Sequence, residues 1–399
     1  MVRKKACIVT PTYFSVGGTA RMVRQLINIL TEKYEVIVLS IKYIEDEKRD
    51  FAHYDVALNS NLRMLINPWH VPSLLLYELS GIIWCLALRF VGVKKFLVQE
   101  TMGSAFFTTF VSKITGAKVF LFDYGPMLSL YDKKFLKMQS RRFRRGLLHV
   151  VYTKLLKVAN RFAIRHCYKF FIYSQEMRRC ALAEGLESGK IVSYNFPVDT
   201  GVFKEYNYSE RNKIRERLAI KKSDIVVTFI GRISEDKGLL YLLEAIKFFA
   251  GKYRSNVKFL IAGEGPLLKW FINNTASYEE RVSFLGPLYN PKEVVNVLNA
   301  SDIFVYPITM SYGYALSVLE AMATGLPTII TEIGPTKELV VNGQNGVVVP
   351  VKDSTALIKA LSNLIDNEDL RKRIGKRAKE ALARFSVRSY KRIILDNVA

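Results

Sequence analysis

Three loops in this 399-residue chain combine glycines and charges in ways that suit a bound anion. SVGGTAR carries Gly17 and Gly18 just before a helix-forming stretch. A glycine pair lets backbone approach a ligand closely, and a simple tight turn explains it equally well. IGRISEDKGLL sets Arg232 after a strand and Lys237 at the start of a helix, two cations that suit a diphosphate or stand as solvated charges. PITMSYGYALSVLEAMATGLP passes through Tyr312 and Gly313 into a helix. There the free N–H groups of Tyr314, Ala315 and Leu316 would cap phosphate oxygens. Glu320, just over one turn farther on, could accept hydrogen bonds from ribose hydroxyls. The alternatives for Glu320 are a charge facing solvent or a pair with a nearby cation.

These loops need strands and helices that bring them to one place, and the pattern supplies them. Ala6 to Thr10 reads as a buried strand, Thr19 to Leu30 as a helix and Tyr34 to Ser40 as the next strand, a βαβ opening. In the second half strands are expected at Ile225 to Ile230, Val257 to Ala262, Val282 to Leu285, Ile303 to Tyr306 and Pro327 to Thr331. Helices are expected between them at Gly238 to Ala250, Leu267 to Thr275, Pro291 to Asn299 and Ala315 to Thr324. Such alternation implies parallel sheets covered on both faces, hence an α/β chain of two doubly wound, Rossmann-like domains in tandem. The seam is expected near Asn195 to Thr200, where NFPVDT combines proline with turn formers.

Half of the residues are apolar and 24% are charged, enough for two globular domains. The net charge of +23 divides into +15 for residues 1–200 and +8 for 201–399, favouring an anionic partner: a phosphorylated small molecule, an anionic lipid surface or nucleic acid. Lys133 to Gln175 holds twelve basic residues and no acidic one. Within it Lys154, Lys157, Arg161 and Arg165 form one helical stripe beside Val151, Leu155, Val158 and Phe162. That is the layout of a helix lying in a membrane interface, or of a surface helix packing its apolar side on its own domain. The preceding cluster RRFRR, with Arg141, Arg142, Arg144 and Arg145, favours the membrane. Aromatic and basic residues here follow a helical pattern rather than a strand platform, which argues against nucleic acid.

Four cysteines and four histidines fit neither a zinc signature nor a disulfide framework, so a reducing, intracellular setting is expected. The N-terminus lacks the pattern of a signal peptide. The most apolar stretch, Val71 to Val93, is interrupted by Glu78 and Arg89. Ten uncharged positions lie between them, short of the roughly 20 that a spanning helix needs. A buried or interface-lying helix is expected there.

The runs VVTFIGRISEDKGLLYLLEAI, FLIAGEGPL, FLGPL, ASDIFVYP and ALSVLEAMATGLPTIITEIGPTKELVVNGQNGVVVP, over Ile225 to Pro350, resemble the second domain of the retaining glycosyltransferases of family 4. The first half shares only the GGTAR loop and a strand ending FDYGP. The resemblance implies the GT-B fold, two Rossmann-like domains facing across a cleft. Residues 1–199 would bind the acceptor and residues 200–385 the nucleotide-sugar donor, UDP- or GDP-linked. Residues 386–399 would cross back to the first domain. Arg232 and Lys237 would hold the donor diphosphate, Glu320 the ribose, the Leu285 backbone the nucleobase, and Gly18 would lie under the phosphates. The family transfers with retention and needs no metal or other cofactor.

Two departures from the family pattern stand out. Tyr312 occupies the place of a glutamate eight positions before Glu320, and Tyr124 the place of a histidine that faces the sugar, with Asp123 beside it as another polar group. The expected activity is therefore transfer of a sugar to a lipid-linked or membrane-associated glycan, in polysaccharide, lipopolysaccharide or glycolipid synthesis, on the cytoplasmic face of the membrane. The alternative is a nucleotide-sugar-binding or scaffold protein without transfer.

Overall fold

The computed structural model describes residues 3–12, 18–42, 52–55, 71–99, 104–122, 147–253, 256–310 and 315–398. The chain divides into two compact units, Met1–Tyr194 with Lys391–Ala399, and Asn195–Tyr390.

The first unit contains strands β1 (Lys4–Thr12), β2 (Tyr34–Lys42), β3 (Ala52–Asp55), β4 (Val93–Gln99), β5 (Lys118–Phe122), β6 (Lys169–Ile172) and β7 (Ile191–Ser193). They form one parallel sheet in the order β3-β2-β1-β4-β5-β6-β7. Ala6, Cys7, Ile8 and Val9 are fully buried, as are Phe96, Leu97 and Val98 of the neighbouring strand. Such continuous apolar runs belong to strands covered on both faces, and parallel crossovers supply the covering helices. Helices Val71–Phe90, Ser104–Thr115 and Leu147–His166 lead into β4, β5 and β6. The C-terminal helix Val387–Val398 ends against this sheet: the Val398 carbonyl accepts from Tyr34 Oη at 3.1 Å and from Lys95 Nζ, and Lys391 Nζ pairs with Glu32 at 2.6 Å.

The second unit contains β8 (Ile225–Ile230), β9 (Val257–Ala262), β10 (Val282–Gly286), β11 (Ile303–Tyr306), β12 (Thr328–Thr331) and β13 (Val347–Val349), parallel throughout in the order β10-β9-β8-β11-β12-β13. Its helices Leu239–Phe248, Leu268–Thr275, Pro291–Ala300 and Leu316–Ala323 fall where the apolar periodicity places them. Several boundaries shift by one or two residues from expectation, and one of the shifts has a steric cause. Gly238 is outside the helix that follows it, serving as N-cap with φ of +69°. A Cβ on Gly238 would come within 1.8 Å of the Pro307 carbonyl oxygen, so close approach of the β11 loop requires a glycine there.

Among the described residues no helix is long and apolar enough to cross a membrane. In the helix Val71–Phe90, Cys85 and Leu88 are buried while Ile83 and Phe90 are exposed. The helix Leu147–His166 buries Leu156, Ala163 and Ile164 but leaves Leu155 and Val158 exposed. Two of the apolar residues beside its basic stripe, Leu155 and Val158, therefore do not pack on the domain, whereas Phe162 meets the Phe106 ring at 5.7 Å.

Candidate functional site

In an open α/β sheet, ligands collect outside the carboxyl ends of the strands where the strand order reverses. In the second unit that reversal lies between β8 and β11, with β9 and β10 to one side and β12 and β13 to the other. The loop after β8 carries Arg232 and Lys237, and the loop after β11 leads to the helix with Glu320. The topology thus brings two of the three sequence-selected loops together within one unit. In the first unit the corresponding reversal lies between β1 and β4, and Gly18 opens the helix Gly18–Leu30 that follows β1.

The two cations share a partner that the sequence reading missed. Asp236 Oδ1 lies 3.3 Å from Arg232 Nη2, and its Oδ2 lies 3.3 Å from Lys237 Nζ. Ser234 Oγ donates to Asp236 Oδ1 at 2.6 Å. The Asp236 main-chain carbonyl accepts from the Thr309 N–H at 2.9 Å, which ties the β8 loop to the β11 loop. Asp236 is buried. Burial alone would raise its pKa, but Lys237, the Ser234 hydroxyl and Arg232 together hold the carboxyl below its ordinary value.

Lys237 also lies over the ring of Tyr306, the last residue of β11, at 5.6 Å from its centroid. Tyr306 stacks on Phe229 with ring centroids 6.1 Å apart. Burial works against the ammonium charge, but Tyr306 and Asp236 outweigh it and raise the Lys237 pKa above the ordinary lysine value. The Lys237 side chain is 20% exposed and that of Arg232 is 60% exposed. One cation is thus fixed in the wall of the site while the other reaches outward, an arrangement that can neutralise a diphosphate without moving. In the sequence, Asp236 reads as one more acid in the SEDKG run and Tyr306 as a strand terminus, so neither signals its role.

The opposite signs of these shifts give a pH prediction. Asp236 has a folded pKa below its unfolded value, so its contribution to stability is present above the unfolded value and lost as pH falls through the folded one. Lys237 has a raised folded pKa, so its contribution is present below the unfolded value and lost as pH rises through the folded one. The Tm difference between wild type and Asp236→Asn is expected to stay constant from about pH 5 to about pH 9 and to shrink below about pH 4. A difference that vanishes near neutral pH would show that the carboxylate is not held ionised.

Helix Leu316–Ala323 begins at Ala315, which makes no side-chain cap hydrogen bond. The Ala315 carbonyl takes the N–H groups of Val318 and Leu319, while those of Leu316 and Ser317, in the first turn, precede any intrahelical acceptor. A helix N-terminus without a side-chain cap, downstream of the loop whose Thr309 bonds Asp236, suits phosphate oxygens. Glu320 on this helix is buried, which excludes the solvent-facing alternative. Leu285 sits in β10, where the register slips between Phe284 and Gly286, so it is left out of the ladder with β9. Its side chain packs against the cluster of Ile220, Val226, Leu260, Val297 and Ala300. A bulge at the end of an edge strand can offer backbone groups to a planar ligand.

Gly17, Asp123, Tyr124, Tyr312, Gly313 and Tyr314 lie outside the described residues, as do Arg141, Arg142, Arg144 and Arg145. Among the described residues no group of three His, Cys, Asp or Glu side chains is arranged to hold a metal ion.

Residues 210–381 match the family described as glycosyl transferases group 1. The chain is 32% identical over 157 residues, 38% of this chain and 40% of the relative, to the Escherichia coli UDP-Gal:alpha-D-GlcNAc-diphosphoundecaprenol alpha-1,3-galactosyltransferase. It is 28% identical over 198 residues to the Staphylococcus aureus capsular polysaccharide biosynthesis glycosyltransferase CapM, 47% of this chain and 50% of the relative. The chain thus matches half or less of the length of these two relatives. Among solved structures, Anabaena HepE in complex with UDP-glucose superposes with a TM-score of 0.76 at 17% identity, covering 99% of both chains. WaaG, a glycosyltransferase of lipopolysaccharide biosynthesis, gives 0.75 at 15% identity, covering 98% of this chain and 99% of WaaG. These two likenesses are of fold, and the fold is GT-B. The likeness to the glycosyl transferases group 1 family is thus carried by residues 210–381 of the chain.

Proposed function

We propose that this protein transfers a sugar from a UDP- or GDP-linked donor to a lipid-linked or membrane-associated glycan acceptor at the inner face of the cell membrane. Configuration is retained and no metal takes part. The observation that carries the reading is the set Arg232, Asp236 and Lys237 at the β8–β11 reversal, on the loop after β8 and beside the strand that leads to Glu320. As the bond from the anomeric carbon to the diphosphate breaks, negative charge gathers on the leaving phosphate, where Arg232 and Lys237 stabilise it. Asp236 keeps both cations in position, and Glu320 accepts the ribose hydroxyls. The donor class draws support from HepE, which binds UDP-glucose, and the acceptor class from the Escherichia coli relative, whose substrate is a diphosphoundecaprenol.

Calorimetry with UDP, GDP, ADP and their common sugar conjugates tests the donor site. One nucleotide is expected to bind selectively and to bind at least about tenfold more weakly to Glu320→Ala, since hydrogen bonds to a charged group contribute about 1.5–3 kcal/mol. No binding to any of them by folded protein would sink the reading. Tyr312, standing where the family pattern has a glutamate, favours a second reading, a nucleotide-sugar-binding protein without transfer. Selective donor binding with no product across a broad acceptor panel would establish that alternative.

A further inference from the structure

Three helices of the first unit lie side by side and expose apolar side chains among the described residues. Helix Val71–Phe90 packs on Ser104–Thr115, which packs in turn on Leu147–His166. The first contact is close: a Cβ on Gly81 would fall 2.5 Å from the Phe107 ring, and Arg89 Nε donates to the Thr115 carbonyl at 3.3 Å. In the second contact the Phe106 and Phe162 rings meet edge to face at 5.7 Å. Each helix buries one side, through Cys85 and Leu88, through Phe107 and Val111, and through Leu156 and Ala163. Each also exposes apolar residues on its other side, Ile83 and Phe90, Phe110 and Ile114, and Leu155 and Val158 beside the exposed Lys154, Arg161 and Arg165, with Phe90 at 90% and Val158 at 67%.

Scattered exposed apolar residues need no explanation, but six on three adjoining helices do. The charges among them select the occupant. Helices Ser104–Thr115 and Leu147–His166 contain no acidic residue. Exposed Lys113 and Lys154 have no ion-pair partner among the described residues. A second copy of the chain docked face to face would set these same cations against themselves. An anionic lipid surface accepts both features at once, apolar side chains in the acyl boundary and ammonium groups among the headgroups.

We propose that this three-helix face rests on an anionic membrane, with Phe90, Ile114, Leu155 and Val158 inserted below the headgroups. The assignment deepens the membrane-acceptor reading and rests on it. It differs from attachment by charge alone, because inserted apolar side chains resist salt while lysine–headgroup contacts do not.

Flotation of the full chain with mixed phosphatidylglycerol–phosphatidylcholine vesicles tests it. Wild type is expected to float with these vesicles and not with pure phosphatidylcholine. Leu155→Asp/Val158→Asp and, on separate helices, Phe90→Asp/Ile114→Asp are each expected to lower the bound fraction at least about tenfold. All four positions are exposed, so melting temperature and nucleotide binding should match wild type. Wild type that does not float, or variants that float as wild type does, would overturn the proposal. So would a wild-type dimer that these variants split without any vesicle binding, since the face would then join two copies. Nucleotide binding in the same samples reports on the transferase reading separately: flotation without it would sink that reading and leave the membrane face standing.

Discussion

Arg232→Ala and Lys237→Ala are each expected to lower sugar transfer by more than about tenfold, because each removes a fixed positive charge from the phosphate that leaves. A tenfold loss corresponds to about 1.4 kcal/mol of the barrier, and groups fixed at developing charge commonly supply more than this. The two variants should differ in stability, and that difference makes the result interpretable. The Arg232 side chain is 60% exposed, so its pair with Asp236 is worth about 0–1 kcal/mol and the melting temperature should scarcely move. Lys237 is largely covered, and its removal leaves the buried Asp236 carboxylate with Ser234 and the long contact to Arg232. Breaking a buried pair from one side costs about 3–5 kcal/mol. Lys237→Ala should therefore lose both activity and stability, whereas Arg232→Ala loses activity alone. Near-normal turnover in both would end the assignment of the diphosphate site.

Gly238→Ala is expected to be among the most destabilising single methyl additions in the second unit. Two costs coincide there. Alanine at a φ of +69° costs about 1–2 kcal/mol, and the added Cβ would stand 1.8 Å from the Pro307 carbonyl oxygen, forcing the β8 and β11 loops apart. A total above about 3 kcal/mol lowers the Tm of a domain this size by roughly 10 °C. Gly343→Ala separates the terms: Gly343 also has a positive φ, +73°, but nothing lies within 4 Å of its added Cβ. It should show the conformational cost alone, about 1–2 kcal/mol. Equal Tm losses in the two variants would mean that the loops yield and that the close approach to Pro307 has no energetic weight. Because the same approach aligns Asp236 with Thr309, nucleotide affinity should fall in Gly238→Ala and hold in Gly343→Ala.

Strands β8, β9 and β11 were legible in the sequence to the residue, since apolar runs bounded by turn formers leave a strand buried on both faces little freedom of register. Arg232, Lys237 and Glu320 were legible as well, because charged residues beside glycine in strand-to-helix loops are unusual enough to notice. Asp236 and Tyr306 were not. A buried aspartate becomes the partner of two cations only when a turn folds it back between them, and a tyrosine that ends a strand meets a lysine only when distant segments pair side by side.

The same division holds in the helix Leu147–His166. Its sequence specifies a helix with a basic stripe and two apolar stripes, one through Leu155 and Val158 and one through Leu156 and Ala163. A period of 3.6 residues cannot say which stripe turns inward. The structure buries Leu156 and Ala163 and leaves Leu155 and Val158 outside, while Phe162, on the outer stripe, meets Phe106 of the helix Ser104–Thr115. Strand order has the same origin: local sequence determined each element, and only the joint burial of all their apolar faces determined which strands became neighbours, and so where the two cations stand.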